Sequence, residues 1–192
     1  MYFPQHKQCK QGILPLIFPD FSKGSCFVIG ITGLAISSWH SVQGKHATTP
    51  EGYFVDVVAH DEELDVALLQ FPRKRNYSYL PIGDSAAVEA GAPVFHYGFG
   101  MNLLVGFHGF FQGRTADRLF SSAHMMHGQS GGPLVSVDGV VIGINKGHFY
   151  CSAEKTKVVP NHTGPSVYIP INNIRSFLEQ HATYTADGWV PK

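Results

Sequence analysis

A serine enclosed by glycines is the residue of this sequence best suited to nucleophilic chemistry. It lies in HGQSGGPLVSVDGVVIGIN (127–145), where Ser130 precedes two glycines and follows Gly128 by two positions. In such a turn the hydroxyl projects outward while the backbone N–H groups of Gly128 and Ser130 turn toward one point, as attack on a carbonyl requires. A glycine-rich hairpin turn that happens to contain a serine would look the same, and the short motif alone barely favours the nucleophile.

A nucleophilic serine requires a base, and the base requires an orienting carboxylate. Among 11 histidines, His40 stands out because it ends the apolar run GLAISSWH, which predicts a strand that delivers the side chain to a barrel rim. Asp65 directly precedes VALLQF, a run typical of a core strand. Burying a carboxylate there is costly unless a partner such as an imidazole N–H donates a hydrogen bond to it. Taken singly, each is more often structural, the first a hydrogen-bonded rim histidine and the second a turn residue at a strand start. The order His40, Asp65, Ser130 is that of chymotrypsin-type triads and favours catalysis.

The strand pattern predicts an all-β fold with two barrels. Short apolar or alternating runs recur in two groups, separated by a polar, turn-rich stretch. Asp138-Gly139, between PLVSV and VVIGIN, is a strong hairpin signal. NNIRSFLEQHA is the only convincing helix, and KGHFYCSAEKTKVVPNHTGP is expected to be a loop. About a dozen strands followed by one helix predict two six-stranded antiparallel β-barrels, packed with the active site between them.

The same pattern divides the chain into five parts. The first part is a polar and loosely held arm, and the two barrels carry the candidate catalytic residues. The parts are an arm at 1–12, a first barrel at 13–72 with His40 and Asp65, a connector at 73–90, a second barrel with the helix and Ser130 at 91–182, and a tail at 183–192.

Composition excludes several kinds of partner. An apolar fraction of 44% and a charged fraction of 15% are typical of a folded globular chain. The net charge is zero, so no basic surface indicates nucleic acid. No run has the length of a membrane span and the amino terminus has no signal-peptide core, so we expect an intracellular protein or a mature segment of a longer precursor, such as a viral polyprotein. Three cysteines without metal-type spacing predict free thiols, no metal and no cofactor. Oligomeric state is not indicated.

Taken together, these motifs resemble the chymotrypsin-fold (trypsin-like) serine proteases, above all the protease core of the high-temperature-requirement (HtrA/Deg) family. GSCFVIG resembles that family's GSGFVI strand, SSWHSV its histidine strand and ELDVALLQF its aspartate strand. GQSGGPLVSVDGVVIGIN resembles its serine loop, and PSVYIPINNI its closing strand and helix. The resemblance extends from about Ile13 to about Gln180, and motifs in the correct order are far more specific than one serine motif.

The chain departs from the family at several places. Cys26 replaces a glycine, which we interpret as a small buried residue. Gln129 replaces the aspartate that pairs with a liberated amino terminus in the secreted trypsin branch, and no IVGG-like start exists, so that activation switch is not expected. No PDZ-like extension follows the helix. The regulation and trimer assembly of the family are therefore not carried over.

The resemblance implies a serine endopeptidase that cleaves a polypeptide substrate through an acyl-enzyme. Ser130 would attack, His40 would serve as the base and Asp65 would orient it. The oxyanion would be held by the N–H groups of Gly128 and Ser130, with a backbone group of Gln129 between them.

The same resemblance places the P1 pocket between residues 124–128 and the strand 143–148. Two methionines would form an adaptable apolar wall, Asn145 would hydrogen-bond a substrate side chain, and Lys146 with the histidines would favour an acidic P1 if they point inward. Loop histidines and lysines more often face solvent. A medium apolar P1 is favoured over an acidic or amide one. The candidate pocket residues are His124, Met125, Met126, His127, Asn145, Lys146 and His148.

Three rival interpretations compete with this one. GQSGG also fits the nucleophile elbow of α/β-hydrolase esterases, but that elbow must lead into a helix, and its acid and histidine follow the serine. A catalytically silent protease fold used as a binding module is opposed by the intact His40, Asp65 and Ser130. A metal held by His124 and His127 is not favoured, because no carboxylate or cysteine lies nearby in the sequence.

Overall fold

Two barrels of antiparallel strands make up most of the chain, as the strand pattern predicts. The computed structural model describes residues 4–73, 76–100, 103–151, 156–159 and 164–192. In the first barrel the hydrogen-bonded order is β1-β2-β3-β6-β5-β4, and pairing of β4 with β1 closes it. Its strands are β1 (Ile13–Ile17), β2 (Lys23–Val28), β3 (Leu34–Ser38), β4 (Ala47–Thr48), β5 (Phe54–Asp61) and β6 (Val66–Gln70).

The second barrel follows the connector. Its strands are β7 (Pro93–Gly100), β8 (Leu103–Arg114), β9 (Leu119–Ser121), β10 (Pro133–Ser136), β11 (Val141–Cys151), β12 (Thr156–Val159) and β13 (Ser166–Pro170). The order β10-β7-β8-β9-β13-β11 is closed by pairing of β10 with β11, and β12 extends β11 outside the barrel. The hairpin predicted at Asp138-Gly139 is confirmed, with Gly139 at φ 82°. The segment predicted as a loop after Asn145 is instead partly strand, since β11 continues to Cys151 and pairs with β12.

Apolar side chains from both barrels and from the carboxyl-terminal helix form one shared core. Fully buried members come from β2, β6, β10 and β11, so each barrel covers an apolar face of the other. The predicted helix is confirmed as a 3₁₀ turn (Ile171–Ile174) leading into a helix (Arg175–His181). Because removing apolar surface from water is the main stabilising term in such packing, the shared core fixes how the barrels face each other. Its members include Phe27, Leu68, Val135, Ile144, Ile171 and Leu178.

Both ends of the chain differ from expectation. The arm contains a helix, α1 (Pro4–Gln11), in which His6 and Cys9, three positions apart, share one buried face. The Nδ1 atom of His6 lies 2.7 Å from the hydroxyl of Tyr97 on β7. The tail forms a hairpin of β14 (Ala182–Thr185) and β15 (Gly188–Pro191), whose Trp189 is buried. The end segments are polar in sequence, and only their tertiary contacts decide that they are ordered.

Within the described residues, no helix has both the length and the apolar character needed to cross a membrane.

Candidate active site

The pairing of β3 with β6 brings His40 and Asp65 together. Ser38, the last residue of β3, pairs with Val66, the first of β6, so the residues just beyond them meet at one end of the barrel. The chain turns there into the short helix α2 (Trp39–Val42). The His40 N–H donates to Asp65 Oδ1 at 2.9 Å, and the His40 Nδ1 atom lies 2.9 Å from Oδ2 and 3.0 Å from Oδ1. Both the backbone and the ring of His40 are therefore fixed by one carboxylate.

Asp65 is an ionised and nearly buried side chain. Its backbone has φ 58°, in the left-handed region that aspartate tolerates better than most residues. Burial acts to raise the pKa of Asp65, but hydrogen bonds from the ring and backbone of His40 and from Lys146 outweigh it and hold this pKa below its usual range. An ionised carboxylate only accepts, so His40 donates from Nδ1–H and its Nε2 is left as the basic nitrogen of the neutral ring.

The serine loop contains glycines at which any side chain would collide with neighbouring atoms and displace the backbone. Gly128 has φ 88° and Gly131 has φ 83°. A Cβ atom on Gly128 would overlap the carbonyl oxygen of Phe99, and one on Gly131 would overlap Ser37 Oγ and the carbonyl oxygen of Ser25. The loop therefore packs its bare backbone against both barrels, and Ser130 is held at their junction.

Two backbone donors of the loop are unoccupied. In the part of the chain that the structure describes, neither the Gly128 N–H nor the Ser130 N–H donates to a protein acceptor. The Gln129 N–H donates to the carbonyl of Met126 at 3.2 Å. The expectation that Gln129 adds a backbone group to the oxyanion hole is therefore wrong, because its donor is already engaged. Free N–H groups on either side of it are what an oxyanion needs.

The side chain of Gln129 fastens the loop from inside. It is fully buried, its Oε1 accepts from the Met126 N–H at 2.7 Å, and its Nε2 donates to the carbonyl of Val105 at 3.2 Å. A neutral amide with both ends satisfied needs no charged partner.

Ser25 on β2 is a supporting residue to which the sequence analysis assigns no role, although it lies in the motif GSCFVIG. Its Oγ donates to the carbonyl of Gly128 at 2.6 Å and accepts from the Phe99 N–H at 2.7 Å. Ser25 is completely buried, so it ties the serine loop to both barrels. A small hydroxyl residue inside the otherwise apolar run SCFVIG is the only signal in the sequence for this role.

Lys146 connects the serine to the carboxylate. Its carbonyl accepts from Ser130 Oγ at 3.4 Å, and its Nζ lies 2.9 Å from Asp65 Oδ2. No hydrogen bond joins His40 to Ser130 among the described residues. The three predicted catalytic side chains are thus gathered around Lys146, with the serine hydroxyl turned toward a backbone acceptor.

Two of the residues predicted to line the P1 pocket have structural contacts instead. The Nδ2 atom of Asn145 donates to the carbonyls of Tyr97 at 2.9 Å and Gln129 at 3.0 Å, so the prediction that Asn145 hydrogen-bonds a substrate is corrected. The ammonium of Lys146 is engaged by Asp65, which corrects its predicted place in the pocket wall. Burial explains the contacts of Asn145, since the N–H groups of a buried amide take the nearest acceptors.

The remaining candidates divide into buried and exposed residues. Met125 is buried in the core of the second barrel, and Met126 is partly buried. His148 is buried, with Nε2 2.9 Å from the Met125 carbonyl and Nδ1 3.2 Å from the Gly164 carbonyl. A neutral imidazole can donate to only one of these two acceptors. His124 and His127 are exposed.

No group of three or more histidine, cysteine, aspartate or glutamate side chains within the described residues is arranged to hold a metal ion. Cys26 is fully buried in the first-barrel core and its thiol lies 3.4 Å from the Leu14 carbonyl, which confirms the prediction of a small buried residue there. Burial raises the pKa of this thiol, so it stays protonated.

Comparison with known proteins gives consistent matches. Residues 24–144 match the profile of the trypsin-like peptidase domain. The serine protease HTRA1 of Xenopus tropicalis is 29% identical over 185 residues, which are 87% of this chain and 38% of that protein. The magnetosome formation protease MamE of Magnetospirillum gryphiswaldense is 28% identical over 190 residues, 88% of this chain and 23% of that protein. This chain thus spans well under half the length of these relatives.

Among solved structures, that of the HtrA-type protease AlgW with tripeptide superimposes with a TM-score of 0.75. The two sequences are 21% identical, and the match covers 92% of this chain and 61% of that one. At this identity the match shows that the fold is the same, with two antiparallel six-stranded barrels.

We predict that Gly128→Ala displaces the unoccupied N–H groups, because the added methyl overlaps the Phe99 carbonyl and the residue has positive φ. Loss of one oxyanion donor costs about 100-fold or more, so the rate of Ser130 labelling by a fluorophosphonate should fall by at least that factor. Gly44→Ala is the control, since Gly44 also has positive φ (68°) but no atom within 4 Å of the added methyl. Equal labelling rates in the two folded variants would contradict the assignment.

Proposed function

The chain belongs to the family of trypsin-like peptidase domains, and we propose that it cleaves peptide bonds through an acyl-enzyme formed on Ser130. Membership of this family and the serine protease relatives support a serine endopeptidase of the trypsin-like class. His40 is proposed as the base and Asp65 as the residue that orients it. The observation that carries the proposal is the carboxylate of Asp65 holding both the ring and the backbone of His40, beside a glycine-enclosed serine with free donors.

In the proposed reaction, His40 Nε2 takes the proton of Ser130 Oγ as that oxygen attacks the substrate carbonyl carbon. The oxyanion accepts from the N–H groups of Gly128 and Ser130, and Asp65 stabilises the imidazolium without taking its proton. His40 then protonates the leaving amine as the C–N bond breaks, which leaves an ester on Ser130. A water molecule, deprotonated by His40, attacks this ester. As the bond to Ser130 Oγ breaks, His40 returns the proton to that oxygen and the product carboxylate is released.

The Ser130 hydroxyl must leave the Lys146 carbonyl before it attacks. The Ser130 hydroxyl lies 3.4 Å from the Lys146 carbonyl, which is long for an O–H···O bond and therefore weak. Rotation about the Cα–Cβ bond releases it, and staggered side-chain rotamers of residues that reach solvent exchange within nanoseconds. Catalytic hydrogen bonds of unliganded enzymes are often long and shorten when substrate binds.

The substrate is proposed to be a polypeptide with a medium apolar P1 residue. Met126, partly exposed beside the serine loop, supplies apolar surface, whereas Met125 is packed in the second-barrel core, which corrects its predicted place in the pocket wall. The ammonium of Lys146, the strongest argument for an acidic P1, is neutralised by Asp65. The buried ring of His148 lies between the Met125 and Gly164 carbonyls and can donate to one of them, so it packs against the segment that carries Met125 and Met126.

The proposed activity is tested by active-site labelling combined with cleavage profiling on a denatured proteome. We expect a fluorophosphonate to label the wild type and not Ser130→Ala, and Asp65→Asn to lower kcat by roughly 10⁴-fold because it favours the wrong tautomer of His40. Ser78→Ala, an exposed serine on the connector, is the matched control. A folded wild type that is neither labelled nor able to cleave would identify a binding module instead.

The proposed base predicts an acidic limb in the pH profile. Neutral His40 is required, so kcat/KM for a peptide substrate should fall as the pH is lowered through the range of about 8 to 5, in which histidine side chains gain charge. Asp65 stays ionised through this range because its pKa is lowered, so the limb should have the slope of a single proton. Full activity well below this range, lost in Ser130→Ala, would contradict the mechanism.

His148→Ala should broaden the range of P1 side chains that are accepted, because it removes a buried ring that packs behind the segment carrying Met125 and Met126. We expect the ratio of kcat/KM for phenylalanine over valine at P1 to rise about tenfold, the lower range of what one pocket contact contributes. His46→Ala, in an exposed loop of the first barrel, is the control. An unchanged ratio in a folded His148→Ala variant would contradict a role of His148 in P1 selectivity.

A further inference from the structure

Lys146 occupies an irregular position in its strand. On β11 the neighbouring residues Asn145 and Gly147 pair with Tyr168 and Val167, which are consecutive on β13, so Lys146 is left without a partner. This is a β-bulge, in which the extra residue leaves the alternation of the strand and its side chain is redirected. Bulges of this kind re-aim side chains next to functional sites. Here the redirected side chain reaches Asp65 on the other barrel.

The ammonium of Lys146 shares its acceptor with the imidazole of His40. Lys146 Nζ and His40 Nδ1 each lie 2.9 Å from the same oxygen, Asp65 Oδ2. The Lys146 side chain is 25% exposed and the Asp65 side chain 11%, so water screens this contact only in part. When His40 is protonated, one carboxylate must balance two cations.

We propose that Lys146 is a positioning residue that sets the pH range of the base: its ammonium partly neutralises Asp65 and keeps His40 unprotonated to lower pH. This inference rests on the proposed function for its meaning in catalysis, since it acts on the residue proposed as the base. Its physical basis is that a nearby cation disfavours the charged form of an imidazole. The bulge at Asn145–Gly147 is the structural device that delivers the cation.

The other ionisable groups around the site make no such contact. The ring of His60 on β5 stacks on Trp39 at 3.8 Å, and the turn before Asp65 carries acidic side chains. In the described part of the chain, none of these side chains has a hydrogen bond or ion pair with the Asp65 carboxylate or the His40 ring. Lys146 is thus the only cationic side chain described there that touches them. The other ionisable groups are His60, Asp61, Glu62, Glu63 and His127.

The test compares the titration midpoint of His40, followed by NMR of the imidazole ring, with the acidic limb of kcat/KM. Lys146→Met removes the charge at similar volume, and we expect both the midpoint and the limb to move upward by about 0.5–1.5 pH units. Lys146→Arg keeps the cation and should stay near the wild type. Lys45→Met, which removes a lysine stacked on Phe18 away from the site, controls for net charge.

An unchanged or lowered midpoint in Lys146→Met, in a sample whose NMR spectrum shows a folded chain, overturns the inference. If Lys146→Met does not fold, Lys146→Gln is measured in its place with the same expectation. The NMR titration needs no turnover, so failure of the coupling between Lys146 and His40 can be distinguished from failure of the proposed protease activity. A chain that shifts its His40 midpoint but neither labels nor cleaves refutes the proposed protease mechanism and leaves the coupling intact, whereas a chain that cleaves without a shift refutes the coupling alone.

Discussion

The carboxylate of Asp65 is the interaction on which the site depends, because it joins the two barrels. It accepts from His40 of the first barrel and from Lys146 of the second. Such a group is costly to bury unless its partners stay in place. The barrels must therefore keep a fixed separation. The shared apolar core provides this, since side chains from both barrels and the terminal helix pack in one cluster.

The serine loop is positioned by a different kind of contact. Its glycines allow the backbone to approach the carbonyls of neighbouring strands more closely than any side chain permits. Ser25 and Asn145 then bind the loop's own carbonyls from the two barrels. Ion pairs thus position His40 and Asp65, whereas close backbone packing positions the serine loop. Their combination positions the proposed base, the proposed nucleophile and two free backbone donors.

Much of this arrangement is predictable from the sequence because it depends on local pattern. Alternating runs predict strands, the Asp138-Gly139 turn predicts a hairpin, and an acid at the start of an apolar strand predicts a buried partner. The ordered structure of the arm and the tail is not predictable in this way. It depends on contacts between residues far apart in the sequence, such as His6 with Tyr97. The contacts of Lys146 escape prediction for a similar reason. Strand alternation gives the wrong direction for a residue in a bulge, and the bulge is visible only in the register of β11 against β13.

Because Gln129 is neutral, the serine loop and the Asp65 ion pairs differ in their sensitivity to pH and ionic strength. The loop is fastened by a neutral amide between the Met126 N–H and the Val105 carbonyl, and neither of these bonds titrates or is screened by ions. The contacts among Asp65, His40 and Lys146 involve ionisable groups, so they depend on pH and are weakened by salt. Changes in ionic strength therefore act on Asp65 and on the proposed base, His40, and leave the shape of the serine loop unaltered. The backbone that carries the serine is insensitive to salt, while the proton acceptor beside it responds.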